Sequence, residues 1–494
     1  MYEKIEELIT SKEGSYHEIE ELITSKEGSY HEISDRIWDI AETKFHEHES
    51  AQVLMAVLEE EGFTIETGHG GIDTAFVATY GTEGPVIGFL GEYDALPDMT
   101  QKAGVAHKEA NPETENTNGH GCGHNLLGTA SLAAAVATKE YIDAHGIKAK
   151  IQFFGCPAEE GGSGKTFMAR EGAFDNLDMA ICWHPATDNS VVSVKTLANI
   201  QAAFEFKGKS AHAANSPEMG RSALDAAELM NVGGNYLREH VTSEARYHYA
   251  YLDAGGVAPS VVQSHAKLLY LIRAPKTNQV KEIYDRLCKI AEGAALMTET
   301  EVTVHFDKAC SNFIPNSVYT KLMGDVMMDL GAPKFDEEDQ EFAKSIHATL
   351  SEEEKQFRMV PPVTPIEKKV LAENSGKVLA DYVYPYNPAL GNITLPGSTD
   401  VGDVSWVVPT VQCIVATEVQ NIALHSWQVV ATGKSGIAKK GMIQAAKIMA
   451  ATAVKVIENP EYIDEAKAEL KAITDDTPYV NPIPADVKPN SLNF

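Results

Sequence analysis

The residues best suited to chemistry lie in one short glycine-rich run, Gly119-His120-Gly121-Cys122-Gly123-His124-Asn125. A thiolate and an imidazole two residues apart can serve one metal centre if the backbone bends between them, and glycine permits that bend. Cys122 and His124 together suit zinc or another first-row metal. A flexible loop with incidental His and Cys is the competing reading. The run is not a dinucleotide fingerprint, because G-x-G-x-x-G fails at His124 and no strand leads directly into it. A second cluster is Pro157-Ala158-Glu159-Glu160-Gly161-Gly162. Adjacent carboxylates can divide labour, one binding metal and the other staying free as a general base for water. Taken alone, in so acidic a chain, the pair reads as a solvated turn. His184 in Trp183-His184-Pro185, His212 in GKSAHAA and His425 in ALHSWQ each read alone as structural histidines. Together, Cys, His and Glu mostly at strand ends could supply a full metal site with open positions.

The elements that must position these groups fall into two patterns. An amphipathic helix is expected over residues 34–61, stopped by Gly62. Strands follow at 74–80 and 85–91, then a long polar loop at 98–123, a helix at 126–145, a strand at 150–155, a helix at 165–171 and a strand at 178–183. Such alternation argues for an α/β layered sheet, and ligands in such sheets gather at strand ends. From 198 to 312 the order becomes β-α-β-β-α-β, the ferredoxin-like order. Strands at 406–411 and 413–416 and a helix at 436–457 then return to the first pattern. One α/β domain (34–197 and 313–494) is thus expected to be interrupted by another (198–312). The charged stretch 333–369 reads as a surface excursion, and the tail 475–494 reads as a surface wrap. Residues 6–19, EELITSKEGSYHEI, recur letter for letter at 20–33. Two copies cannot build a solenoid, and Gly14-Ser15 and Gly28-Ser29 argue against one unbroken helix. A loosely attached, functionally neutral extension over 1–33 is expected.

The 494 residues carry 41 Lys and Arg against 71 Asp and Glu, a net charge of −30. That field repels phosphate backbones, which argues against nucleic-acid partners. No basic leader or long apolar run is present, and the six cysteines are scattered without a C-x-x-C pair. The expected setting is a reducing cytoplasm, with no membrane partner.

In this order, the motifs GEYDALP, NGHGCGHNLLGTA, PAEEGGSGK, WHP, GKSAHAANSPEMGRSALDA, YLIRAP, GSTDVGDVSW and HSWQ resemble the aminoacylase/carboxypeptidase-type metallopeptidase family, in its amidohydrolase branch. The resemblance spans about residues 34–457. It implies a di-metal aminopeptidase-like catalytic domain with an inserted ferredoxin-like lid that dimerises. It implies two divalent ions per subunit, Mn²⁺ or Zn²⁺, held by Cys122, His124, Glu160, His184 and His425. Glu159 would be the general base and acid, and Asp94 would orient the site. His212 would reach a partner subunit's site and stabilise the oxyanion. Arg273 would clamp the substrate carboxylate. Ser260 stands where the family usually has Asn, and losing such a donor can cost about 3 kcal/mol in the transition state. The implied reaction is hydrolysis of an N-acyl or N-aroyl amino acid, of the p-aminobenzoyl-glutamate type. A dipeptidase or carboxypeptidase with the same metal site is the nearest alternative, and a non-catalytic binding protein on this fold the remote one. A homodimer through the lid is expected, with a hetero-oligomer as the alternative.

Overall fold

A computed structural model of the chain describes residues 2–358 and 364–490, with side chains from residue 14 onward. The chain divides into two compact units. The first comprises Met1–Val194, Ile314–Ile393 and Val404–Tyr479; the second comprises Lys195–Phe313, Thr394–Asp403 and Val480–Phe494.

Among the described residues there are eleven strands: β1 (Thr64–Thr67), β2 (Phe76–Tyr80), β3 (Val86–Glu92), β4 (Lys150–Cys156), β5 (Met179–Ala186), β6 (Ser190–Val191), β7 (Ala198–Lys207), β8 (Arg246–Asp253), β9 (His265–Ala274), β10 (Glu301–Cys310) and β11 (Thr410–Ala416). The first unit holds a seven-stranded mixed sheet, β1-β2-β4-β3-β5-β11-β6. Its centre, β4-β3-β5-β11, is parallel. These strands are apolar and almost wholly buried, as a parallel sheet covered on both faces requires. Parallel strands end on one side, so Glu92, Cys156, Ala186 and Ala416 bring their following loops to a single edge. The second unit carries a four-stranded antiparallel sheet, β10-β7-β9-β8. Residues along β9 alternate between half-buried and buried, the signature of a sheet covered on one face.

The helices begin with α1 (Tyr2–Ser25), α2 (Glu27–Ile40), α3 (His48–Glu60) and α4 (His124–His145), followed by α5 (Glu159–Gly162), α6 (Gly164–Arg170), α7 (Ala223–Leu237) and α8 (Thr277–Thr298). The α4 helix is buried around most of its circumference and packs beside the helix Gly436–Glu458. In the second unit α7 and α8 cover one face of the sheet.

Four expectations need correction. The repeat is not loosely attached: Tyr16, Ile19, Ile23, Tyr30 and Ile33 are all buried in the main core. Gly14 sits inside α1, and the break falls instead at Lys26, whose φ/ψ of −113°/6° leaves the helix. Fourteen residues are nearly four helical turns, so like residues return to nearly one face. The helix expected over 34–61 is two helices, α2 and α3. Ala41, at φ 44°, ends α2, and Glu42 accepts from the Glu49 and Ser50 amides at the start of α3. The run expected as a strand at 406–411 is split between the helix Val401–Val407 and the start of β11. A short apolar run alone does not separate strand from buried helix. Part of the stretch 333–369 is no surface excursion, since Ala343, Ile346 and Leu350 pack with Val419, Ile422 and Val429 in a smaller core. Residues 359–363 of that stretch, and 491–494 of the tail, lie outside the described residues.

Candidate metal centre

The carboxyl edge of the parallel sheet gathers the chemistry. His124 opens α4, directly after Gly123, whose φ of 76° is left-handed. A Cβ on Gly123 would come within 2.9 Å of Pro185, so the bend predicted for this loop needs glycine twice over. His124 Nδ1 lies 2.8 Å from Asp94 Oδ1, and His124 Nε2 lies 3.2 Å from Glu92 Oε2. Asp94 Oδ2 also accepts the Glu160 amide at 2.9 Å, tying the β3 loop to the β4 loop. Cys122 Sγ lies 3.4 Å from His184 Nε2, and His184 Nδ1 faces Pro185 O at 2.7 Å. His425 Nε2 lies 3.3 Å from Glu160 Oε2, and the His425 amide donates to Gly121 O at 2.8 Å.

Three overlapping sets of ligand atoms result, each within 4.8 Å of one another: Cys122, His124 and His184; Cys122, Glu160 and His425; and Glu92, His124 and Glu159. The sequence-predicted Cys122, His124, Glu159, Glu160, His184 and His425 therefore come together, with Asp94 behind them. Cys122 belongs to two sets, as a ligand shared between two ions would.

The electrostatics favour a cation here. Burial disfavours charge on His124, but Asp94 and Glu92 outweigh it and raise the imidazole to about 10. His124 Nε2 is nonetheless buried without a hydrogen bond from any described residue. Burial, then Glu160, Glu159 and Glu418, push the Cys122 thiol well up. A dication would reverse that, since a coordinating thiol is deprotonated outright. Burial and His124 hold His184 down at about 4, so it is a neutral imidazole fit to donate a lone pair. Burial pushes Glu160 up, but the hydrogen bond from His425 and the charges of His124 and His425 prevail and hold it low. The donor set, thiolate, imidazole and carboxylate, fits first-row divalent ions.

Three contributing residues escaped sequence reasoning. Glu47 is fully buried and accepts from the Ala158 amide at 2.9 Å, the Phe45 amide at 2.9 Å and the Thr74 hydroxyl at 3.0 Å. It latches the loop before Glu159, where Ala158 is held at φ 60°. No local pattern announces it. Glu92 pairs with the fully buried Lys165 at 2.5 Å. Its signal was an acid closing an apolar strand. Glu418, two residues past β11, carries the same signal.

The remaining predicted residues belong to the second unit. His212 is exposed, and its Nδ1 accepts from the Ala214 and Asn215 amides at 3.2 and 3.1 Å. In the neutral ring that assigns the proton to Nε2. Ser260 is exposed on the neighbouring loop, where its carbonyl accepts the Ala213 amide at 2.9 Å. Arg273 stands on β9 opposite Asn199, and its Nε is buried with no hydrogen-bond partner among the described residues.

The model of peptidase family M20/M25/M40 matches residues 88–425. The chain is 48% identical over 462 residues to one of the subunits of p-aminobenzoyl-glutamate hydrolase from Escherichia coli, covering 93% of this chain and 95% of that protein. It is 26% identical over 454 residues to the Xaa-Arg dipeptidase of Mus musculus, covering 89% and 88%. Among solved structures, a dinuclear metal binding peptidase of the M20 family from Bacillus subtilis superposes with a TM-score of 0.51 at 15% identity, covering 87% of this chain and 99% of that one. This last likeness speaks to the fold alone.

Proposed function

The chain belongs to peptidase family M20/M25/M40 and is a hydrolase of linear amide or peptide bonds; on that premise we propose that it cleaves N-aroyl or N-acyl amino acids of the p-aminobenzoyl-glutamate type with two divalent ions. The observation that carries the metal reading is the sharing of Cys122 between two ligand sets, one with His124 and His184 and one with Glu160 and His425. Bound there, Mn²⁺ or Zn²⁺ would polarise the substrate carbonyl and acidify water.

The chain's own residues do the rest. Glu159 takes a proton from the attacking water and delivers it to the leaving nitrogen, which departs poorly unprotonated. Asp94, bonded to His124 Nδ1, fixes the tautomer that presents Nε2 as the ligand atom. His212 Nε2–H reaches a partner subunit's centre and donates to the oxyanion developing there, and Arg273 grips the substrate carboxylate bidentately. Ser260 offers one hydroxyl donor in that region. Substrate type follows from the 48% relative. An aminobenzoyl group and the first residue of a dipeptide share a feature, an amine on the acyl side of the scissile bond.

Assembly through the second unit fits its surface. The edge strand β8 exposes Tyr249, Tyr251 and Leu252, and α7 exposes Leu229, Val232 and Tyr236 at helical spacing. A homodimer pairing these edges is our reading. The Escherichia coli relative is one subunit of its hydrolase, which supports a second, different subunit as the alternative. Among the described residues no helix is long and apolar enough to cross a membrane, and a cytoplasmic site of action is part of this proposal.

The test is metal analysis of the purified chain, then hydrolysis of aroyl-glutamates, acyl amino acids and dipeptides with added Mn²⁺ or Zn²⁺. Glu159→Gln should keep its metal and lose turnover by at least about 100-fold. Normal turnover in that variant would overturn the mechanism. Faster cleavage of dipeptides than of aroyl-glutamates would favour the dipeptidase reading.

A further inference from the structure

Glu418 follows β11 at the edge where the metal-ligand loops gather, and it is 2% exposed. No hydrogen bond from any described residue reaches either of its carboxylate oxygens. Its neighbours along the chain are all tied down. Ala416 donates to Asn189, Thr417 donates to Ala186 O at 2.9 Å, and Gln420 reaches Thr187 O and Asp188. The backbone is thus rigidly placed while the one acid on it is left without a partner. Burying a carboxylate in this way costs stability, and no hydrogen bond from the described residues offsets that cost. It stands two residues past the end of β11, on the same sheet edge as the ends of β3, β4 and β5 whose loops carry the ligand residues.

A buried, unpartnered acceptor beside a reaction centre is satisfied when a ligand brings a donor. The proposed substrate offers two kinds of end. The amino-acid half carries carboxylates, which an acid repels. The acyl half carries an amine, which an acid accepts from. We propose that Glu418 is a specificity residue that receives the amine on the acyl half of the substrate, so that the enzyme selects acyl groups bearing an amine over those without one. This rests on the amidohydrolase reading and deepens it. A site built around such a hydrogen bond rejects the analogue lacking the donor, because the buried acceptor is then left unsatisfied.

The experiment compares p-aminobenzoyl-glutamate with benzoyl-glutamate, which differ only by the ring amine. The Mn²⁺-loaded wild type should favour the amine-bearing substrate by at least about tenfold in kcat/KM, the scale of leaving one buried acceptor unsatisfied. In Glu418→Leu, which keeps no acceptor there, that ratio should collapse towards one, with metal content unchanged. A ratio near one in the wild type, or a ratio that survives in the variant, overturns the proposal. So does a variant that loses metal, which would make Glu418 part of the support of the centre. Binding of 4-aminobenzoate against benzoate, measured by calorimetry, separates this from failure of the hydrolase reading. If neither amide is cleaved, the amine preference should still appear in binding, and its absence there sinks the inference. Glu418→Leu should melt no lower than the wild type, since it removes an unsatisfied buried acid; a marked loss of stability would assign Glu418 to the fold instead.

Discussion

Ala158, Ser163 and His425 hold left-handed backbone without being glycine; the first two flank the ligand cluster and the third belongs to it. Each such residue costs about 1–2 kcal/mol, so surrounding bonds must impose the conformation. For Ala158 the imposing group is Glu47, whose carboxylate takes three donors. Glu47→Ala would strand those donors in a dry interior, each worth about 1–3 kcal/mol. We expect urea unfolding to show a loss of at least about 3 kcal/mol, with turnover falling as Glu159 loses its position. Unfolding at the wild-type midpoint would show that the latch is not needed. At this scale the sequence was informative where chemistry is rare. Cys122, His124, Glu159, Glu160, His184 and His425 stood out as candidates by residue type, but only the family resemblance assembled them into one ligand set with Glu159 as its base. Glu47 did not stand out, because its partners lie 27 and 111 residues away in the chain.

Among the elements, strands buried along almost their whole length were readable. The solid apolar runs of β3 and β5 need no tertiary knowledge, whereas the alternation of burial along β9 is hidden in sequence by the unbroken run Leu268-Leu269-Tyr270-Leu271-Ile272. The helix Val401–Val407 was not readable. Gly402 there tolerates no Cβ against Ser311 O, and Asp403 accepts from the Ser311 amide and hydroxyl at 2.9 and 2.7 Å. Those anchors come from about ninety residues upstream. The repeat was misjudged because its letters are ordinary and only docking reveals its burial. That docking yields a prediction. Deleting residues 6–19 would slide Tyr2 into the place of Tyr16 and Ile5 into that of Ile19, with the next copy unchanged. The buried side chains Tyr and Ile are thus restored, and stability should stay within about 1 kcal/mol of the parent, the scale of a neutral surface change. A much larger loss in calorimetry would mean that both copies are needed.

For the molecule as a whole, the exposed apolar stripe and edge of the second unit set the next test. Tyr251→Glu puts a charge on the unpaired edge, a common way of keeping edges apart. In light scattering the wild type should run as a dimer and this variant as a monomer, with metal content intact. If His212 serves a partner's centre, the monomer should also lose turnover. A monomeric wild type would remove the assembly from the proposal. The net charge of −30 belongs to this scale too, because it opposes both assembly and compaction through self-repulsion that salt screens. Finally, the duplicated segment separates two kinds of information. Its copies spell the same message, yet Tyr16 lies under Lys455 at 5.2 Å while Lys26, between Glu61 and Glu140, sits one turn before Tyr30. Nothing in the letters themselves distinguishes these destinations. Each copy is addressed only by how many peptide bonds separate it from Ser34, so in this stretch the chain specifies position by counting rather than by spelling.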